Sequence, residues 1–271
     1  MSAEAVARAR REQGLGQVVV AELRRAMAGG GMRTSAGVGV VIGAAAGFGT
    51  SMLVGYFAQG AEGSSLSVTL PIEVAAVVSA LWIAVATVLH LARDLPSGML
   101  ATSLLLVPDR RRLLVARLAA PTAIGAVGAL AAAGLPAAIG LVLHGSVPGA
   151  VGTAILGLVV AACASGLFAL FAALTATVAR RPTSAALLFV ALTLLVPLAL
   201  AVVPVVAPAA MATVSERVSY GLPSSLLMQA AGASTVPATG LGRVLLGFAG
   251  LAAWCVAAAA LAVPLFRRQD C

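Results

Sequence analysis

The chain has 271 residues, of which 61% are hydrophobic and only 10% charged, and its mean hydropathy is +1.07. Soluble domains stay near about 45–50% apolar and about 25% charged, so a water-facing fold is excluded and the missing solvent is lipid. All 17 basic residues are Arg and the net charge is +8, but the arginines fall in short clusters between apolar runs, which excludes a nucleic-acid-binding face and reads as membrane topology.

The expected fold is an all-α integral membrane protein with a short N-terminal region, 1–34, and a transmembrane domain, 35–271. Within "QVVVAELRRAMAGGG", Val20, Leu23 and Met27 share one helical face and Arg24 and Arg25 turn away. That pattern predicts an amphipathic helix lying in the headgroup layer, broken at Gly29 to Gly31; a plain soluble tail is the alternative. The first apolar run, of 23 residues over 36–58, is too long for the core of a secretory signal.

A helix needs about 20 mainly apolar residues to cross the hydrocarbon layer. Six segments qualify: 36–58, 72–92, 113–143, 150–178, 184–207 and 243–266. Pro121 and Pro136 in the third and Pro197 and Pro204 in the fifth predict kinks, tolerated where neighbours satisfy the freed carbonyls. In the first, Gly39, Gly43 and Gly47 recur every four residues, the spacing that lets helices approach closely, within the chain or against another copy. At the start of the second, Glu73 just after Pro71 suits a helix N-terminus. The stretch 208–242 is the longest connection outside and predicts one or two short helices.

Arginines set the orientation. Fifteen lie before span one, between spans two and three or at the foot of the third (Arg117), between four and five, or after six; only Arg217 and Arg243 lie on the other side. The positive-inside rule then places both termini in the cytoplasm, as an even number of spans requires.

Catalytic chemistry finds little to work with. No Asp, Glu or Arg sits in the central turns of any span, which disfavours an ion-coupled transporter. His90 and His144 lie at opposite membrane faces and cannot share a metal. Cys163, Cys255 and Cys271 match no metal or redox spacing. With no Lys in the chain there is no Walker A loop, so no nucleotide, metal or other cofactor is expected to bind, and a membrane enzyme is disfavoured.

The charged stretch "RDLPSGMLATSLLLVPDRRRLLVARL", Arg93 to Leu118, then stands out. Pro96 and Gly98 break the chain, "MLATSLLLV" reads as a short apolar helix, and Pro108-Asp109 turns it toward three arginines. Such a loop either docks on a cytoplasmic partner or merely pins the topology; its residues alone do not choose.

The stretch resembles the loop between spans two and three in permease subunits of type-two ABC exporters. That loop carries an acidic residue four before a Gly, a short helix with Thr or Ser, then Pro, arginines and Ala-Lys. Asp94, Gly98, Thr102, Leu105, Pro108, Arg111, Arg112 and Ala116 stand in those places, with Asp94 where Glu is usual and Arg117 for the Lys. "VVVAELRRAM" is similar to the family's elbow helix, "YGLPSS" to its outer segment, and "FRRQD" to its tail. The resemblance implies that Asp94, Gly98, Thr102, Leu105, Pro108, Arg111 and Arg112 form a coupling helix on a separate cytoplasmic ABC ATPase, which hydrolyses ATP. It also implies a second permease copy, identical or a sister subunit, around one export path in a bacterial inner membrane. The competing expectation is a non-transporting membrane sensor or scaffold that binds a cytosolic partner through the same loop.

Overall fold

The computed structural model describes residues 14–28, 30–58, 69–94, 109–144, 150–179, 181–206, 209–232 and 240–267. Among them there is no strand. The helices are α1 (Leu15–Ala28), α2 (Gly31–Ala58), α3 (Thr69–Asp94), α4 (Arg110–His144), α5 (Ala150–Ala179), α6 (Pro182–Val190), α7 (Val196–Val206), α8 (Ala209–Tyr220), α9 (Pro223–Ala230) and α10 (Gly240–Arg267). A π-helical turn, Ala191–Leu195, joins α6 to α7. Six stretches are long and apolar enough to cross a membrane: α2, α3, α4, α5, α6 with α7, and α10. The chain is a six-span, multi-pass membrane protein by that measure.

Helix α3 is the hub. It packs on α2, α4, α5 and α6, whereas α10 reaches the bundle mainly through α5 and α9. Its buried face repeats every three to four residues through Ile72, Ala76, Ala80, Ile83, Ala84, Val88 and Ala92, the interval that keeps side chains on one side of a helix. Short Ala side chains let the axes come close. The larger apolar volume is supplied by a cluster in which Phe168, Phe171 and Phe189 have ring centroids 5.7–6.3 Å apart. Trp254 of α10 meets Phe171 edge-on at 5.8 Å, a geometry that aromatic quadrupoles favour.

The glycine repeat of α2 packs within the chain. A Cβ on Gly39 would lie 2.9 Å from Trp82, on Gly43 2.5 Å from the Ala75 carbonyl oxygen, and on Gly47 2.6 Å from the Pro136 ring. The three glycines therefore set the approach of α2 to α3 and α4. Gly247 does the same for α10, where a Cβ would strike the Ala230 amide nitrogen of α9. Gly247→Ala is expected to push α9 off α10 at a cost of about 1–3 kcal/mol. The readout is a lower melting midpoint in detergent; an unchanged melt would show that this contact is slack.

Prolines do not end the spans. Pro121 and Pro136 lie inside α4, and Pro204 inside α7. Pro197 stands two residues after the end of the π-helical turn. A proline ring crowds the carbonyl four residues earlier and offers that carbonyl no N–H. The turn just before Pro197 is widened, and there Val196 N–H bonds the Ala191 carbonyl, five residues back.

Two positions differ from the sequence-based expectation. Helix α3 begins at Thr69, so Glu73 sits one turn inside it, buried, and is not at its N-terminus. The turn after α9 covers it: Gly232 has φ +89°, and a Cβ there would lie 3.2 Å from Glu73 Oε1. On α1, the buried residues are Val18, Glu22 and Ala26, while Val20 is 45% exposed. Arg24 is exposed but Arg25 is half-buried, turned into the protein.

Candidate functional site

The arginine-rich end of the bundle holds a charged cluster assembled from three helices. Gly30, with φ +68°, makes the tight turn between α1 and α2 and folds α1 back along α4. Apolar contacts secure it: Ala26, Met32, Ala36, Ile83 and Ile124 form one buried group joining α1, α2, α3 and α4.

That docking delivers Arg25 to Asp94, the last residue of α3. The Arg25 Nη2 donates to Asp94 Oδ2 at 2.8 Å, and its Nε donates to Glu22 Oε2 at 2.8 Å. Arg117 of α4, in the same cluster, brings its Nη2 to 3.9 Å from the same Asp94 oxygen. Glu22, Asp94 and Arg117 are all at least 93% buried. Two cations and two anions cancel, which is what burial at low dielectric demands. Burial by itself depresses the Arg25 guanidinium, but Glu22 and Asp94 outweigh it and hold it above its ordinary value.

The cluster is not fully satisfied. Arg117 Nε and Nη2 make no hydrogen bond, nor does His90 Nε2, one turn before Asp94 on α3. Asp94 is therefore the shared anchor, gripped closely by the α1 arginine and loosely by the α4 arginine.

The start of α4 is held by a second carboxylate. Asp109 Oδ1 accepts from the backbone N–H groups of Arg111 at 3.0 Å and Arg112 at 3.3 Å, satisfying two donors that a helix start leaves free. Its Oδ2 also pairs with Arg112 Nε at 3.1 Å. Arg111 and Arg112 are exposed.

No family of known proteins, no curated protein and no solved structure matches this chain.

Of the residues singled out in the loop, Asp94, Arg111 and Arg112 are described; Gly98, Thr102, Leu105 and Pro108 lie outside the described residues. The structure puts Asp94 in the cluster with α1, while Arg111 and Arg112 face outward from the first turn of α4. Sequence reasoning missed Glu22, Arg25, Arg117 and His90 as members of one group. The one local signal was Glu22 and Arg25, opposite charges three apart on a helix. Nothing local could pair Arg25 with a carboxylate 69 residues away. Among the described residues, no group of three or more His, Cys, Asp or Glu could hold a metal ion.

Proposed function

We propose that this chain is the membrane-spanning permease subunit of an ATP-driven ABC exporter in a bacterial cytoplasmic membrane, with both termini inside. Residues 95–108 act as the segment that rests on a separate ATPase, with Arg111 and Arg112 at its edge. ATP is hydrolysed on that partner, and this chain converts the partner's closure into movement of its spans. Two copies, or this chain and a sister subunit, surround the path. The cargo is hydrophobic, a drug, lipid or peptide.

The observation that supports this reading is how the two ends of segment 95–108 are fastened. Asp94 at one end is tied to α1 and faces α4; Asp109 at the other caps α4. A push on the segment therefore loads α1, α3 and α4 together, as a lever requires. The ordered resemblance of loop, elbow helix, outer segment and tail adds to it. Apolar side chains left exposed on α2 and on span five, such as Val41, Leu53, Leu187 and Leu198, fit a surface met by a second copy.

Gly98→Pro and Arg111→Glu test the lever. Each variant is expected to reach the membrane at the normal level but to lose ATPase co-purification, by on the order of tenfold or more in affinity, ~1.4 kcal/mol. ATP turnover stimulated by hydrophobic compounds is lost with it. Variants that still recover an ATPase with normal stimulated turnover would show the coupling role to be wrong.

A further inference from the structure

An open groove of about 740 Å³ runs between α10 and the turn joining α8 to α9, a volume within the roughly 300–1,000 Å³ of small-molecule sites. Ala249, Ala253 and Ala257 of α10 line one side, and Tyr220 and Gly221 the other. Trp254 keeps the two sides apart. Its indole N–H donates to the Gly221 carbonyl at 2.9 Å, and its ring stands edge-on to Phe171. The turn is thus pinned at the height of a large side chain while its neighbours on α10 are small.

Span six is the peripheral helix of this groove, since among the described residues α10 packs mainly on α5 and α9. A trough with almost wholly apolar walls along such a helix holds neither water, which needs polar partners, nor vacuum, which forfeits dispersion contacts. An acyl chain meets both conditions. At the groove's edge stands Arg217, exposed, three residues before Tyr220 and so on the same face of α8. No ion pair or hydrogen bond of its side chain occurs among the described residues. A planar guanidinium with free donors is suited to a phosphate.

We infer that this groove binds an anionic phospholipid, one acyl chain lying along Ala249, Ala253 and Ala257 and the phosphate meeting Arg217. The inference rests on the six-span membrane architecture and not on coupling to an ATPase, so either can fail alone.

The chain has two tryptophans, Trp82 and Trp254. In the full-length Trp82→Phe protein, Trp254 is the sole tryptophan, and its emission, excited on the red edge beyond tyrosine absorption, reports on the groove it lines. The protein is reconstituted into phosphatidylcholine vesicles carrying a minor fraction of chain-brominated phosphatidylglycerol, or the same fraction of chain-brominated phosphatidylcholine. Quenching should favour the phosphatidylglycerol by about fivefold, the selectivity of one Arg toward anionic lipid. Arg217→Gln should bring the two lipids level, and Ala253→Phe should lower quenching by both. Both substituted residues are exposed, so neither change threatens the fold. Equal quenching by the two lipids overturns the inference, as does a preference that survives Arg217→Gln. Absence of quenching by either overturns it too, and is the result if a second copy or a polypeptide fills the groove.

Discussion

Asp94→Leu is expected to destabilise the protein by about 3–5 kcal/mol, the largest single effect at the charged cluster. The change does not merely delete a bond. It leaves Arg117, 95% buried, beside Arg25 with Glu22 as one carboxylate for two guanidinium groups. Repulsion and desolvation then act in the same direction. The measurement is the melting midpoint of detergent-purified protein, and a midpoint within error of the parent's would refute the assignment of Asp94 as anchor. Adding Arg117→Met should recover much of the loss, because removing a buried charge set is often neutral where removing half of it is not. Arg25→Met should cost less than Asp94→Leu, since Arg25 is half-exposed and Asp94 keeps Arg117 within 3.9 Å. The double variant separates stability from transmission. If the lever reading holds, it sits stably in the membrane yet exports poorly, because α1 is no longer tied to the end of α3.

Gly43→Leu carries the second large effect. A Cβ at Gly43 would already lie 2.5 Å from the Ala75 carbonyl oxygen, 2.8 Å from Ser79 Cβ and 3.1 Å from Ala132 Cβ. These are backbone and first side-chain atoms, which move only if a whole helix moves. Gly43→Ala is expected to cost about 1–3 kcal/mol, and Gly43→Leu enough to separate α2 from α3 and α4. Gly49 and Gly55, on the same helix, have nothing within 4 Å. Alanine at either should leave the melting midpoint unchanged or raise it, by up to about 1 kcal/mol of helix propensity. Monodispersity and melting of the purified variants give the readout. Equal behaviour of Gly43→Ala and Gly49→Ala would mean that α2 is not seated as described.

The spans were legible because lipid imposes a length. Six apolar runs in the sequence correspond to the six candidate spans, with ends differing by up to five residues, as at 36–58 against Gly31–Ala58. The spacing of Gly39, Gly43 and Gly47 signalled close approach, but periodicity names a face and not its partner; Ala75, Trp82 and Pro136 emerge only in three dimensions. Helix α1 was read less well for a related reason. The spacing predicts a hydrophobic stripe turned to the headgroup layer and both arginines turned away, whereas Leu23 and Met27 pack against the bundle. Arg25 instead turns inward, because a carboxylate at the end of α3 waits there. Long-range pairing of charges leaves no trace in local spacing. Pro197 was legible as a perturbation, but its form, a widened turn that lets the helix run on, depends on how Thr193 and its neighbours are housed. The Thr193 hydroxyl, bonded to the Phe189 carbonyl at 2.7 Å, is part of that housing.

The same widened turn divides span five into a rooted half and a cantilever. Phe189, below it, is locked among the aromatic rings; α7, above it, rests substantially only on the π-helical turn and α8. Bending such a beam breaks few contacts within the chain, so a second copy seated on that face would feel its movement directly. The end of the bundle that carries α7 is thus tied to its neighbours by far less packing than the arginine-rich end, where Arg25 and Arg117 meet Asp94.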